Sequence, residues 1–539
     1  MPKKCLSGVI QRTERSYLEK WKTLRHNGVV FPEYVARGLP ITIKGKRFSL
    51  NPEQEEMAYA WAKKLSTPYV QDPVFVNNFL KDFLQVLPPE FANAKMEEID
   101  YSEIVKYQEE EKIRNTQPEV KKQLAAARKE RRLALKEKFG YAEMDSVKTE
   151  VANYMVEPAS IFMGRGQHPF RGKWKAGAKP ENVTLNLDEN APIPPCPVPG
   201  RKWGQIIHDR NSTWIARWID KLTEKEKYVW LSDVSPIRQS RDKAKYDKAK
   251  DLEKTIERVR KHISKGMESK DPKERKIAVV CYLIDKLAMR VGDEKDEDEA
   301  DTVGATTLRV EHIKTTGKAI EFDFLGKDSV RWQKTLEVDS DKRMLENLRE
   351  FCAGKNPSDL IFDGITSDAV NRFLGSCYEG LTAKVFRTFH ATNIVKGYLI
   401  SLNGKITPEA SSEKKLYYAR HANLQAAIKC NHKRTPPKNW EQALQKKEER
   451  LKTLESQTGK TEKAEERRKE SMEKLKLNLE IAKQTRDYNL NTSLRNYIDP
   501  RIYKSWADSV GLDWKVLYTK TLQRKFEWVN RSRLEWGSQ

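Results

Sequence analysis

The sequence predicts an α+β fold that is mainly helical, with one small antiparallel sheet and a charged helical pair projecting from the body. Three patterns carry that prediction. Apolar residues recur at helical spacing in "DLEKTIERVRKHI" and "RKIAVVCYLIDKLAMR", the second densely enough to be core. The alternating segments "TLRVEHI", "AIEFDFL" and "SVRWQKTLEV", joined by turn-like "KTTGK" and "GKDS", read as a three-stranded antiparallel meander. From Trp440 to Leu479 the chain has no core of its own. Trp440, Leu444, Leu451 and Leu454 fall on one stripe, Met472, Leu475 and Leu479 on another, and "SQTGKT" separates them, which predicts an αα-hairpin.

The other elements follow in chain order. Lys22 to Leu87 is mixed and aromatic-rich, a globular start with short strands and helices. Gln108 to Phe139 reads as one solvated helix, with Leu124, Leu133 and Leu135 as a narrow apolar stripe. "PASIFMGRGQHPFRGKWKAGAKPENVTLNL" is a loop followed by strand-like text, and "NAPIPPCPVPGRKW" is a proline-stiffened connection. Asp242 to Leu287 is helical, as is most of Ser340 to Lys429. After Tyr488 the tail regains Trp506, Trp514, Phe526 and Trp528, enough aromatic surface to pack.

Composition narrows the function classes. The 539 residues, enough for roughly two to four compact units, carry 101 basic and 78 acidic side chains, a formal charge of +23. A field of that sign suits a polyanion, nucleic acid first, although ribosomal, membrane-surface and chaperone-like proteins share it. No apolar run approaches the ~18 residues of a membrane span, and "MPKKCLSGVIQRTERSYLEKW" lacks the apolar segment of a secretory signal. The six cysteines are scattered with no CxxC pair, which argues against structural zinc and disulfides and fits a reducing intracellular compartment. There is no GxxxxGK[ST] to seat phosphates. The acidic run "VGDEKDEDEADTVG" lacks the glycine and terminal glutamate of an EF-hand at their set positions, so it reads as a loop.

One short stretch poses the chemical question. In "LNTSLRNYIDPR", Tyr497 follows the charged hairpin immediately. It is either a loop tyrosine at the edge of a small core or a nucleophile delivered to a distant site. A tyrosine attacking a phosphodiester needs charge offset at the pentacoordinate phosphorus, a proton for the departing alkoxide, and loss of its own phenolic proton. Arginine suits the phosphoryl oxygens because its fork bonds two of them and stays charged. Lysine suits the leaving group because it can release a proton. Arg290 ends "IDKLAMR", Lys327 sits at the strand tip in "FLGKDSV", Arg387 lies in "LTAKVFRTFHATN" and His432 in "IKCNHKRTPPK". Taken singly, each also has an ordinary reading: a snorkelling arginine, a solvated hairpin lysine, a structural histidine.

Together these blocks resemble the eukaryotic-type DNA topoisomerases of class IB. The resemblance is carried by "FMGRGQHP", "IDKLAMRVGDEKDEDEADTVGATTLRVEHI", "EFDFLGKDSVRW", "EGLTAKVFRTFHA", "KCNHKRTPPKNWE" and "LNTSLRNYIDPRI", in the family's order, within a span from "WKTLRHNGVVFPEY" to "RKFEWVN". It implies that Tyr497 forms a transient 3′-phosphotyrosine link and releases a 5′-hydroxyl. Arg290 and Arg387 then clamp the scissile phosphate and His432 bonds a non-bridging oxygen. Lys327 is the general acid for the 5′ oxygen and contacts a base in the minor groove. Arg165, Asp328 and Asn496 match positions beside the cleavage site where camptothecin-like planar drugs lodge. Trp214, Lys227, Tyr228, Lys295, Thr302, Thr382, Ala383 and Lys384 match DNA contacts that follow the backbone without reading sequence.

The resemblance also implies an organisation: a DNA-binding cap over 1–235, a tyrosine-recombinase-like catalytic core over 236–436, a linker hairpin over 437–487, and a nucleophile-bearing domain over 488–539. Such a protein is a two-lobed clamp on double-stranded DNA, a monomer that needs neither ATP nor metal and does not engage membranes. The chain omits the long basic tail of nuclear members and its hairpin is shorter than in the animal enzymes. Both features suggest an archaeal or minimal member acting on a nucleoid, with a nuclear source left open. The competing readings are a site-specific tyrosine recombinase, which would synapse two duplexes, and a non-enzymatic chromatin protein, which leaves the ordered blocks unexplained.

Overall fold

The computed structural model describes residues 19–164, 166–292, 303–316, 319–326, 330–337 and 342–532. The chain divides between Arg238 and Gln239 into two compact units. Among the described residues no helix is long and apolar enough to cross a membrane, and no group of three or more His, Cys, Asp or Glu is placed to hold a metal ion.

The first unit combines small sheets with α-helices, among them Pro52–Ala62, Pro73–Val86, Ser102–Thr116 and Pro118–Phe139. One core forms where Phe75, Phe79 and Phe83, one helical turn apart on Pro73–Val86, bury completely, with Phe79 stacked 4.3 Å from Trp61. A second surrounds the four-stranded sheet, whose strands lie in the order Gln205–Ile207, Thr184–Asn186, Trp214–Ile219, Glu226–Trp230. The single helix expected over Gln108–Phe139 is instead two, Ser102–Thr116 and Pro118–Phe139. Gln117 between them is extended, at φ −59°, ψ 132°. Pro118 disfavours a helical conformation in the residue before it and then opens the next helix, where its missing N–H costs nothing. The apolar stripe alone could not show this break.

In the second unit, Pro272–Leu287 is the buried helix that the apolar run predicted, capped by Asp271 accepting from the Lys273 amide. It ends at Leu287 because Ala288 turns left-handed (φ +52°), a conformation costing a non-glycine residue roughly 1–2 kcal/mol. Arg290 therefore lies beyond the helix rather than at its end. The meander pairs Ile313–Thr316, Ala319–Gly326 and Val330–Glu337 antiparallel in that order. Its first strand starts later than expected, since Val310–His312 is a 3₁₀ turn and the "turn-like" Lys314–Thr316 is strand. Ile320, Phe322, Phe324 and Trp332 face the core, the last two stacked at 4.9 Å.

Helix Ala383–Ile400 joins two hydrophobic clusters. Val385, Phe386 and Phe389 belong to the cluster with Pro272–Leu287 and the sheet, while Ala391, Val395 and Leu399 belong to the cluster with the C-terminal segment. The tail packs there through Tyr503, Trp506, Trp514 and Phe526, against Ala419, Ala422 and Ala426 of helix Ser412–Lys429. The charged region forms two helices, Trp440–Ser456 and Glu462–Gln484. Its root is fastened to the Ser412–Lys429 helix. Tyr417 donates to Glu480 at 2.6 Å, Lys474 pairs with Glu413, and Leu479 and Ile481 are buried.

Candidate active site

Four of the five residues singled out for phosphoryl chemistry meet in the second unit, brought there by three helix ends and one helix interior. The Arg387 side chain projects from Ala383–Ile400 into the core, where it is only 4% exposed. A buried guanidinium is costly unless its donors are used. Nη1 donates to the Ala288 carbonyl at 2.6 Å, and Nη2 donates to the Cys430 carbonyl at 2.8 Å and lies 3.1 Å from His432 Nε2. Among the described residues its Nε–H, sealed from solvent, has no hydrogen-bond partner.

The two carbonyls are informative. Ala288 and Cys430 each follow the last residue of a helix, Pro272–Leu287 and Ser412–Lys429. After each helix a non-glycine residue turns left-handed, Ala288 (φ +52°) and Asn431 (φ +52°), and a candidate catalytic side chain follows: Arg290 and His432. Helix C-termini are negative dipole ends that attract cations. Arg387 thus bonds the backbone of both segments that deliver its partners.

The Arg290 segment is held by backbone pairing. The Ala305 amide donates to the Arg290 carbonyl at 2.8 Å and the Thr306 amide to Val291 at 2.7 Å. Gly292 and Gly304 approach so closely that a Cβ on Gly304 would lie 2.4 Å from the Gly292 Cα, so both must be glycine. The Val303 amide donates to Leu325 at 2.8 Å, tying this segment to the strand end that precedes position 327.

Tyr497 follows helix Leu490–Asn496, which Asn489 caps by accepting from the Asn491 amide. Its amide donates to Ser493 at 2.9 Å, and its carbonyl accepts from Thr392 Oγ1 at 3.2 Å. Thr392 Oγ1 also accepts from the Asp499 amide at 3.1 Å. Thr392 stands on the same helix as Arg387, so one element registers the tyrosine segment against the arginine. The Tyr497 ring stacks on His432 at 5.2 Å and 23°, and the Arg387 guanidinium carbon lies 5.0 Å from the ring centre. His432 Nδ1 is 2.8 Å from the buried Ser493 hydroxyl.

The electrostatics follow from this crowding of cations. Burial raises the Tyr497 pKa, but the positive charges of Arg387 and then Arg290 outweigh it, and the phenol falls below its ordinary 10. Arg290, open to solvent yet crowded on its protein side, is lowered by desolvation first and by Arg387 second. His432 is driven down to about 3, by burial first and then by Arg387, Arg290 and Lys334, so its imidazole is neutral near pH 7.

The remaining predicted positions are distributed elsewhere. Lys327, Asp328, Arg165, Lys295 and Thr302 lie outside the described residues. Thr382 precedes helix Ala383–Ile400 without a side-chain cap bond, with Ala383 buried and Lys384 exposed behind it. Asn496 is exposed, and its carbonyl accepts from Lys245 Nζ at 3.1 Å. In the first unit Trp214 is 4% exposed, with Tyr228 5.9 Å away, so its ring serves packing there. Lys227 pairs with Glu157 at 3.8 Å and Asp220 at 4.0 Å, and the Tyr228 hydroxyl donates to Glu226. Sequence reasoning missed Ser493, Thr392 and Lys334. Only Lys334 left a trace, a lysine at an inward register position of "VRWQKTLE".

Comparison with known proteins places this geometry in a family. Models described as the eukaryotic DNA topoisomerase I DNA-binding fragment, the catalytic core, and a C-terminal topoisomerase domain match residues 19–231, 234–465 and 469–538. DNA topoisomerase 1 beta of Arabidopsis thaliana is 36% identical over 95% of this chain and 58% of its own length. DNA topoisomerase 1 of Homo sapiens is 34% identical over 95% of this chain and 71% of its own. That of Drosophila melanogaster is 36% identical over 95% and 54%. This chain thus spans little more than half the length of the plant and fly relatives. It belongs to the eukaryotic DNA topoisomerase I family.

Proposed function

We propose that this protein relaxes positively and negatively supercoiled double-stranded DNA without ATP, by transient cleavage of one strand, controlled rotation and religation. The observation that carries the proposal is the meeting of Arg290, Arg387 and His432 around the Tyr497 ring, from sequence segments up to 207 positions apart. Tyr497 Oη, its proton released to solvent under the charges of Arg387 and Arg290, attacks phosphorus; the P–O5′ bond breaks and a 3′-phosphotyrosine ester forms. The flanking arginines stabilise the phenolate by charge and then face the non-bridging oxygens, where negative charge develops. Their pre-set positions avoid reorganisation during the step. Neutral His432 contributes a hydrogen bond rather than a further charge. Because Arg387 Nη2 can only donate, the neutral ring accepts at Nε2 and donates from Nδ1 to the Ser493 hydroxyl; trading the Arg387 contact for a phosphate oxygen on DNA binding requires the proton to move to Nε2.

Lys327 protonates the departing 5′ oxygen; its flanking strands pair up to Gly326 and Val330. One phosphoester replaces another, so the break stores the bond needed for resealing and supercoil strain supplies the drive. Thr382, Lys384, Lys227, Tyr228, Lys295 and Thr302 contact the DNA backbone through their side chains, the buried Trp214 and Ala383 through their backbone at most, and Arg165, Asp328 and Asn496 border a camptothecin-sensitive cleft. The protein works as a monomeric two-lobed clamp with a recombinase-like catalytic domain, its hairpin slowing the rotation of downstream DNA. It acts with genomic DNA.

The test is relaxation of plasmids of both supercoil signs with chelator and no nucleotide. Wild type should relax both, and Tyr497→Phe should bind DNA but relax neither. Peptide mapping after reaction with a suicide oligonucleotide should place the adduct on Tyr497. An adduct on another residue, or none, overturns the proposal. Failure of camptothecin to trap the adduct would remove the drug cleft alone.

A further inference from the structure

Strand Val330–Glu337 alternates its side chains, so Trp332, Lys334 and Leu336 share the face toward the core while Arg331, Gln333 and Thr335 face solvent. A lysine on the inward face requires partners. Lys334 Nζ donates to the Leu287 carbonyl at 3.3 Å and to the Lys429 carbonyl. These are the terminal residues of helices Pro272–Leu287 and Ser412–Lys429, the two that lead into Arg290 and His432. The next carbonyl of each segment, Ala288 and Cys430, is taken by Arg387. Lys429 Nζ adds a third tie, donating to the Lys286 carbonyl at 2.6 Å. Three cations therefore bond carbonyls at the junction of two negative helix ends, and of these Arg387 belongs to the candidate catalytic set while Lys334 is the one that reaches both helix ends from the sheet.

We propose that Lys334 is a positioning residue for DNA cleavage: its ammonium clasps the C-termini of two helices and fixes the spacing of Arg290 and His432 about the scissile phosphate. The inference rests on the cleavage reaction proposed above. Lys334 does not act on the phosphate itself; it acts through the backbone that carries the groups that do. A misplacement of about 1 Å in such groups can slow chemistry up to about 100-fold. The clasp is strongest while the amine is charged, because a cation completes a helix C-terminus better than a neutral donor. The groups facing it are Lys429, Cys430, His432 and Lys433 from the helix Ser412–Lys429 and the turn after it, Arg387 from the central helix, and the Trp332 ring at 5.4 Å on its own strand. Burial, and then repulsion by Lys429, lower its pKa to about 8, so the charge is lost just above neutral pH.

The decisive experiment compares single-turnover cleavage of a suicide oligonucleotide by full-length wild type, Lys334→Met and Lys334→Arg from pH 7 to 9. Lys334→Met should cleave about ten-fold more slowly at pH 7 with DNA affinity within about two-fold, since no phosphate contact is removed. Lys334→Arg, whose fork reaches two carbonyls and does not titrate, should restore the rate to within about three-fold at pH 7. The ratio of its rate to wild type should then rise about five-fold by pH 9, a change that a merely structural lysine would not produce. A ratio flat with pH, or wild-type cleavage by Lys334→Met, overturns the inference; if the methionine variant does not fold, the ratio alone decides. Absence of any Tyr497 adduct in wild type would instead overturn the cleavage reading.

Discussion

The neutrality of His432 can be measured as stability. Its imidazole is 5% exposed and held at about 3, against 6.5 for an unhindered histidine. Between those values the unfolded chain binds a proton that the folded protein refuses. Stability from this group is therefore complete above pH 6.5 and is lost as pH falls toward 3. From pH 7 to pH 5 the loss is about 2 kcal/mol, most of the gap between an unfolded histidine fully charged at pH 5 and a folded one still neutral. Glutamine at 432 keeps a donor and an acceptor but does not titrate. Guanidinium unfolding of full-length wild type and His432→Gln at pH 7, 6 and 5 should show the variant's deficit shrinking by about 2 kcal/mol as pH falls. Carboxylates cancel in that difference. So does His26, buried in the first unit and lowered to about 4, because both proteins carry it. A difference constant to within about 0.5 kcal/mol from pH 7 to 5 would mean that the imidazole titrates normally inside the fold. His432 could then be charged during catalysis, and its role as a neutral donor would be refuted.

Three further outcomes follow from the same geometry. Arg387→Lys keeps the charge but cannot reproduce a planar fork spanning Ala288, Cys430 and His432, so suicide-substrate cleavage should fall about 100-fold or more while DNA binding changes little. Asp285, 2% exposed, accepts from Arg260 Nε at 2.8 Å and bonds His390 Nε2 at 2.9 Å, linking the helix before Arg290 to the helix bearing Arg387. Asp285→Asn should cost about 3–5 kcal/mol in denaturant unfolding, because it leaves Arg260 and His390 short of their counter-charge. Replacing residues 449–470 by a short turn spares Leu479, Ile481 and the Tyr417–Glu480 bond, so it should leave cleavage within about two-fold. It should nevertheless alter rotation per cleavage event in single-molecule relaxation; unchanged rotation would remove the hairpin's proposed role.

Much of this architecture was legible because it obeys local periodicity. The helix Pro272–Leu287, the central strands of the meander and the hairpin helices each follow a 3.6 or 2.0 repeat, and they form where those repeats lie. What escaped was set by single residues or by long-range contact. Pro118 broke a helix that its flanking stripe continued through. The left-handed turn at Ala288 detached Arg290 from its helix, and no alanine announces such a turn, whose carbonyl is held by Arg387, 99 positions away. Ser493 and Thr392 were invisible for the same reason: a hydroxyl's partner is chosen by the fold, not by its neighbours in the chain.

The arrangement of the site explains why its parts can be so far apart in sequence. Arg290 and His432 each sit just past a helix end, behind a left-handed residue, where side-chain packing alone would leave the backbone free to pivot. A cation on the central helix, Arg387, draws the first carbonyl after each helix inward, and a cation on the sheet, Lys334, draws the last carbonyl within it. The same central helix registers Tyr497 through Thr392 and contributes to both hydrophobic clusters of the unit. The backbone that carries each of the four candidate groups is thereby tied, directly or through Arg387, to a helix that packs into two cores. Such coupling holds several cations close together against their own repulsion, which is the condition for a site that must receive a phosphate already poised.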